Sequence, residues 1–327
     1  MKFLPLLRVA VPVTVLLLIV TVSAQAASTS STDKLGRKVD IPIPVQRAVF
    51  LQMYEFLPVM DVWDQVAGVS GWAYKSDFIR RTTPDIESVP AVGRGGDPNV
   101  EAILQLKPDL VLTWAVRPES IRFMAEKGLR VFAVYPESIQ ELYGILDLFG
   151  TVFQREETMK AVKKTMEDMF SLIRERTAAR DPARQRKILY LGGQMNSVSC
   201  GLGINNDLIR MIGGRNPADR IRKTHTIISL EQIVIWNPEV IFIWGSAGYT
   251  AEDILNNPQW RHIAAVRNKQ VYKLPRWSTW SPRLPLVGLI MAKKAYPDDY
   301  QDMDPDTAEE EFLRKIKAIH DKTEQAL

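Results

Sequence analysis

A single cysteine, Cys200, stands in a chain of 327 residues, so no internal disulfide can form. A chain of this length must then be held by ordinary apolar cores, which points to two lobes. Cys200 itself is expected as a small buried hydrophobe. Histidine is nearly as scarce: His225, His262 and His320 lie far apart, and none falls in a metal-ligand spacing. Direct binding of a bare transition metal is therefore not expected. No phosphate-binding loop or dinucleotide fingerprint follows an apolar strand, and "GGQMNS" lacks the lysine or nucleophile elbow that such sites need. Neither catalytic residues nor a resident cofactor are expected. The net charge of +4 falls to +2 once Lys2 and Arg8 are set aside. The remaining cations are dispersed among Asp and Glu, which argues against nucleic acid as a partner.

The one long apolar run is at the start. Lys2 and Arg8 precede residues 9–22, and Ala24 and Ala26 then occupy the −3 and −1 positions of a small-residue cleavage site. Residues 1–26 read as a secretory signal peptide; a membrane anchor would need roughly 17–25 apolar residues. A lipid-anchored product would need a cysteine just after that run, and there is none. The expected location is the periplasm, as a soluble protein.

From Arg47 onward, short apolar strands ("RAVFL", "VAGVSG", "DLVLTW", "RVFAVYP") alternate with helical stretches, the mark of a parallel sheet with helical crossovers. Residues 156–176, "EETMKAVKKTMEDMFSLIRER", hold no Gly or Pro and space Met159, Val162, Met166, Phe170 and Ile173 along one face. One continuous helix of roughly 30 Å is expected there. After the polar "ARDPARQRK" the alternation restarts with "KILYLG", "NNDLIRMIGG", "VIFIW" and "QVYKLP", and two helices close the chain. The fold class is α/β: an N-terminal lobe over 27–152, an interlobe helix over 153–180 and a C-terminal lobe over 181–327, each lobe Rossmann-like around a central parallel sheet. A single large α/β domain with a long crossover helix is the alternative.

Ligands of open α/β sheets bind beyond the carboxyl ends of the strands. Those ends are aromatic and cationic in both halves: Tyr54, Trp72 and Trp114 in the first, Trp244, Arg276, Trp277, Trp280 and Arg283 in the second. "PRWSTWSPR" sets two Trp, two Arg and two Pro within nine residues, a stiff loop of flat apolar faces and planar donors. It suits a large, partly conjugated anionic guest. Arg94, in the glycine-rich "VGRGGDPN", is its natural counterpart across a cleft. For any single aromatic, packing is an equal alternative.

Residues 100–114, "VEAILQLKPDLVLTW", are echoed without a gap by residues 230–244, "LEQIVIWNPEVIFIW". Glu101/Glu231, Ile103/Ile233, Pro108/Pro238 and Trp114/Trp244 coincide. Each half thus receives a helix that opens on an acid and a strand that ends on a tryptophan. The acid is expected at the outer end of the unit and the tryptophan at the inner, cleft end.

"DKLGRKVDIPIPVQRAVFL", "VPAVGRGGDPNVEAILQLKPDLVLTW", the interlobe helix, "SLEQIVIWNPEVIFIW", "NPQWRHIAAVRNKQVYKLP" and "SPRLPLVGLIMAKKAYPDDY" together resemble the periplasmic solute-binding proteins of ABC importers for ferric siderophores, haem and cobalamin. The likeness runs from Asp33 to about Phe312. It implies a monomeric carrier, not an enzyme, that hands a metal chelate to an inner-membrane ABC permease driven by its ATPase. It also implies that Glu101 and Glu231 meet arginines of the two permease subunits, and that Arg94, Arg276 and Arg283 with Tyr54, Trp72, Trp114, Trp244, Trp277 and Trp280 hold the guest. A ferric siderophore is the expected guest; cobalamin, haem, a nickel chelate and molybdate or tungstate remain alternatives, as does an exported α/β enzyme or chelatase.

Overall fold

The computed structural model describes residues 27–324, so the expected signal peptide lies outside the described residues. The chain opens on an antiparallel hairpin, β1 (Ala27–Thr32) and β2 (Lys38–Ile43). Then follow β3 (Ala48–Phe50), α1 (Leu57–Met60), β4 (Val66–Val69), α2 (Asp77–Thr82), the two-residue strands β5 (Gly93–Arg94) and β6 (Asp97–Pro98), α3 (Val100–Leu106), β7 (Leu110–Trp114), α4 (Pro118–Glu126) and β8 (Val131–Val134). The first sheet has the order β4-β3-β7-β8, parallel throughout. Helices α5 (Ile139–Phe153) and α6 (Glu156–Ala178) lead to the second half.

That half contains β9 (Ile188–Leu191), β10 (Ser197–Ser199), α7 (Ile204–Met211), β11 (His225–Ile227), α8 (Leu230–Trp236), β12 (Val240–Ile243), α9 (Ala251–Leu255), α10 (Ala264–Arg267), β13 (Val271–Lys273), α11 (Leu284–Ala295) and α12 (Pro305–Glu324). Its sheet has the order β11-β10-β9-β12-β13. β9, β12 and β13 run parallel and form the expected parallel centre, while β10 is antiparallel to both β9 and β11 and extends the sheet in the other sense. The reason is local. Gly192 N–H donates to the Ser197 carbonyl at 2.7 Å and Ser197 N–H to the Gln194 carbonyl at 3.0 Å, so the chain turns back at once. A parallel neighbour needs a crossover of a dozen or more residues.

The predicted long helix is continuous, and α6 spans 23 residues, about 34 Å. Met159, Val162, Met166, Phe170 and Ile173 are all buried, in one core cluster that extends from Phe50, Phe149 and Phe153 of the first lobe to Tyr190, Phe242 and Leu289 of the second. The helix is therefore packed along its length by both lobes. Its carboxyl end is also tied to the chain's closing segment. Arg176 pairs with Asp302 through two hydrogen bonds of 2.6 and 2.7 Å, and Arg180 Nε donates to Asp299 at 2.6 Å while its guanidinium covers the Tyr296 ring at 3.3 Å.

Candidate ligand cleft

The two echoed segments fold alike, down to their caps. Asn99 and Ser229 accept the N–H of Ala102 and Gln232, and so cap α3 and α8. Both helices stop on a residue in the left-handed region, Lys107 at φ 48° and Asn237 at φ 46°. A proline follows, and then an acid that reaches the neighbouring strand. Asp109 accepts the N–H groups of Gln46 and Arg47 at 2.8 and 3.0 Å, and Glu239 accepts that of Lys187 at 2.9 Å. The strand registers match accordingly, Ala48 opposite Leu110 and Ile188 opposite Val240.

This geometry corrects the expected polarity of the unit. Arg47 and Lys187 stand at the amino ends of β3 and β9, so the turns that carry Asp109 and Glu239 lie at the amino edges of the sheets. Each seven-residue helix approaches from the opposite direction, over about 10 Å. Glu101 and Glu231 therefore lie toward the carboxyl edge, the edge where Trp114 and Trp244 end their strands. Both acids are exposed. The Glu231 carboxyl is held below its usual range by its own backbone N–H and by the Ser229 hydroxyl.

An aromatic floor covers the strand ends of the first lobe. Trp114 stacks on Tyr135 with centroids 6.3 Å apart and planes within 7°. Trp72 meets Trp114 edge-on at 6.3 Å, and Trp280 meets Trp114 at 6.2 Å and Tyr135 at 5.3 Å. Trp280 comes from the loop after β13, so the floor continues from one lobe to the other. The β5–β6 turn lies against it: a Cβ on Gly95 would stand 2.9 Å from Gln52 Nε2 and 3.1 Å from Trp114 Cβ, which is why that turn is glycine. Arg94, next to it, is exposed, and neither it nor the exposed Arg276 has a hydrogen bond or ion pair among the described residues. Trp244 is 40% exposed and borders Gly193.

Three expected wall residues pack into the body of the protein. Arg283 is fully buried rather than on the cleft. It donates to both oxygens of Asp77 at 2.9 Å, pairs with Glu55 at 3.5 Å and Glu309 at 3.7 Å, and lies between the rings of Trp277 and Phe78 at 4.5 and 5.0 Å. It opens α11 and points into the body of the protein, where three carboxylates compensate its charge. Trp277 packs on that guanidinium and on the main core. Tyr54 packs on the same core, and burial first, with the nearby Glu55 charge second, pushes its hydroxyl pKa well up. Tyr249, also at a strand end, braces the β9–β10 turn by donating to the Gly192 and Gln194 carbonyls.

Tyr135 is the floor residue that the sequence reading missed; it directly follows "RVFAV", so the strand-end rule would have found it. Among the described residues no group of three His, Cys, Asp or Glu side chains is placed to hold a metal ion. Cys200 is buried, as its isolation suggested, and its S–H donates to the Val198 carbonyl at 3.4 Å. The floor offers indole and phenol faces, and the exposed Arg94 is next in the chain to the Gly95 that lies against it, a combination that suits an anionic guest.

The model of the family described as "Periplasmic binding protein" matches residues 48–276. The molybdate-binding protein MolA of Haemophilus influenzae is 26% identical, over 90% of this chain and 92% of its own length. The haem uptake protein IsdE of Staphylococcus aureus is 24% identical, over 80% and 87%. Among solved structures, Helicobacter pylori CeuE in a Ni–His complex superposes with a TM-score of 0.78 at 28% identity, covering 89% of this chain and 95% of that one. All three are binding or uptake proteins by name or by the ligand they hold.

Proposed function

This chain belongs to the periplasmic binding protein family, and from that premise we propose that it captures a ferric siderophore in the interlobe cleft and delivers it to an inner-membrane ABC permease. It is the periplasmic binding component of an ABC importer for metal-related ligands, and not an enzyme. No helix among the described residues is long and apolar enough to cross a membrane. The choice of guest rests on one observation, the pairing of two unpartnered guanidinium groups, Arg94 and Arg276, with an aromatic floor that spans the lobes. Arginine forks recognise chelating carboxylate or catecholate oxygens, and indole faces cover the organic part of such a guest. In this reading the carrier acts as a monomer, with the exposed Glu101 and Glu231 facing the permease.

Molybdate is the second reading, favoured by the coverage of the Haemophilus influenzae relative. Titration of intrinsic tryptophan fluorescence with ferric siderophores, a nickel chelate, cobalamin, haem and molybdate separates the readings. A siderophore should quench the floor tryptophans, and Arg94→Ala with Arg276→Ala should abolish the response. Saturation by molybdate alone overturns the siderophore reading; no change with any guest overturns the cleft itself.

A further inference from the structure

The outer edge of the second sheet carries a feature that ligand capture does not use. Residues 220–224, "RIRKT", form a turning segment that leads into the edge strand β11. Leu202 N–H donates to the Lys223 carbonyl and Cys200 N–H to the Thr224 carbonyl, both at 3.0 Å, before the β10–β11 ladder begins at Ser199 opposite His225. β11 is the last strand in the sheet order. Arg220, Arg222 and Lys223 are exposed and without ion pairs among the described residues, and the nearest acid in sequence, Asp219, is paired with Arg210. The chain's remaining charge is close to balanced, so this strip is locally cationic.

Edge strands commonly carry charges that block pairing with other chains. That accounts for the cations but not for their apolar companions. Lys223, His225 and Ile227 are exposed at alternate positions, while Thr224 and Thr226 between them are half-buried. Ile227 is 57% exposed, and Ile235 on α8, the next helix along the chain, is 73% exposed. Ile235 lies one turn from Glu231 on the same exposed helix face. Cations beside protruding aliphatic side chains are the pairing that suits a bilayer interface, with headgroup phosphates meeting the cations and the acyl boundary taking the isoleucines. Nucleic acid fits poorly, because no aromatic side chain is interleaved with these cations.

We propose that the edge formed by Arg220, Arg222, Lys223 and Ile227, together with the exposed Ile235 of α8, is a contact for an anionic phospholipid surface, which holds the carrier against the membrane of its importer. The proposal rests on the importer reading only in that the carrier works at a membrane; the guest is immaterial to it.

The test is flotation of the full chain with vesicles of phosphatidylcholine alone or mixed with phosphatidylglycerol, at low and high salt. Binding is expected only to the anionic vesicles and should be lost at high salt. The combination Arg220→Gln, Arg222→Gln and Lys223→Gln should weaken it by roughly a hundredfold, from the usual contribution per cation. Ile227→Ser with Ile235→Ser should weaken it while keeping the salt dependence. The triple variant should melt like the parent and give an unchanged fluorescence titration, so that loss of lipid binding is separable from loss of the cleft. Equal binding to both vesicle types, no binding to either, or an unaffected triple variant overturns the proposal. So does a triple variant that loses only its association with the permease in phosphatidylcholine nanodiscs, since the strip would then read protein.

Discussion

Arg283 discriminates most sharply between a ligand contact and a structural tie. The guanidinium is fully buried and holds together three parts of the chain that are distant in sequence: Glu55 and Asp77 of the first lobe, and Glu309 of the last helix. Replacement by Met keeps much of the apolar stem but leaves those carboxylates facing one another. Breaking a buried pair from one side costs about 3–5 kcal/mol. Two observations place this node at the low end. The Asp77 side chain is 44% exposed, so water screens it, and Glu55 Oε2 and Arg283 Nε already lack hydrogen-bond partners. Arg283→Met should therefore lose about 3 kcal/mol, or roughly 6–12 °C in Tm for a chain of this size.

The loss has a pH signature. Desolvation raises the Asp77 carboxyl, but the hydrogen bonds and charge of Arg283 outweigh it, and the folded-state pKa lies below the ordinary 3.8. A carboxyl lowered on folding contributes stability that is present above its unfolded pKa and disappears as the pH falls through the folded one. The gap between parent and variant should thus be full near neutrality and close progressively as the pH drops below about 4. Thermal unfolding followed by circular dichroism across that range measures it, and adding Asp77→Asn to Arg283→Met should recover part of the loss. A variant within about 1 kcal/mol of the parent, or a gap that ignores pH, refutes the reasoning; if such a variant also failed to bind siderophore, Arg283 would be a ligand residue after all.

The two matched helix ends give a contrasting pair. Lys107→Gly removes a left-handed conformation that costs an ordinary side chain about 1 kcal/mol, and denaturant unfolding should show that much added stability. Asn237→Gly should not gain it, because the Asn237 side chain also accepts the Ala264 N–H at 2.8 Å. Replacing both Glu101 and Glu231 by Ala should leave guest affinity unchanged and lower uptake in whole cells; unchanged uptake would remove these acids from the docking assignment.

Most of the chain's plan could be read from local pattern. The gap-free stretch from Glu156, with its apolar spacing, specified α6 almost to the residue, and the echo of residues 100–114 in 230–244 specified two units that share caps, turns and strand register. What stayed hidden depended on partners far along the chain. Nothing near Arg283 indicates that Asp77 and Glu55 wait for it, and an arginine beside tryptophans looks the same whether it faces solvent or core. The β1–β2 hairpin escaped because "ASTSST" has almost no apolar signal, and β10 and β11 because three residues are too few to show a period. The basic edge was obscured differently: its three cations directly follow Asp219 in the chain, and only the pairing of that acid with Arg210 leaves them uncompensated.

The corrected polarity of the repeated unit alters what the paired acids can report. An acid on the far side of each lobe would move little when the cleft closes, because a rigid body that turns about α6 displaces its hinge-distant, cleft-side edge most. Glu101 and Glu231 lie toward the carboxyl edges, beside the strand ends that bear Trp114 and Trp244, so their separation follows the width of the cleft mouth. A guest that draws the exposed Trp244 of the second lobe toward the Trp114–Tyr135 floor would shorten that separation. A two-fold permease that presents fixed cations would then distinguish loaded from empty carriers by spacing alone. Spin labels in place of Glu101 and Glu231 themselves, both exposed, offer the measurement. Their distance should shorten and narrow when the guest saturates the cleft, and a distribution unmoved by saturating guest would mean that the acids carry no information about loading.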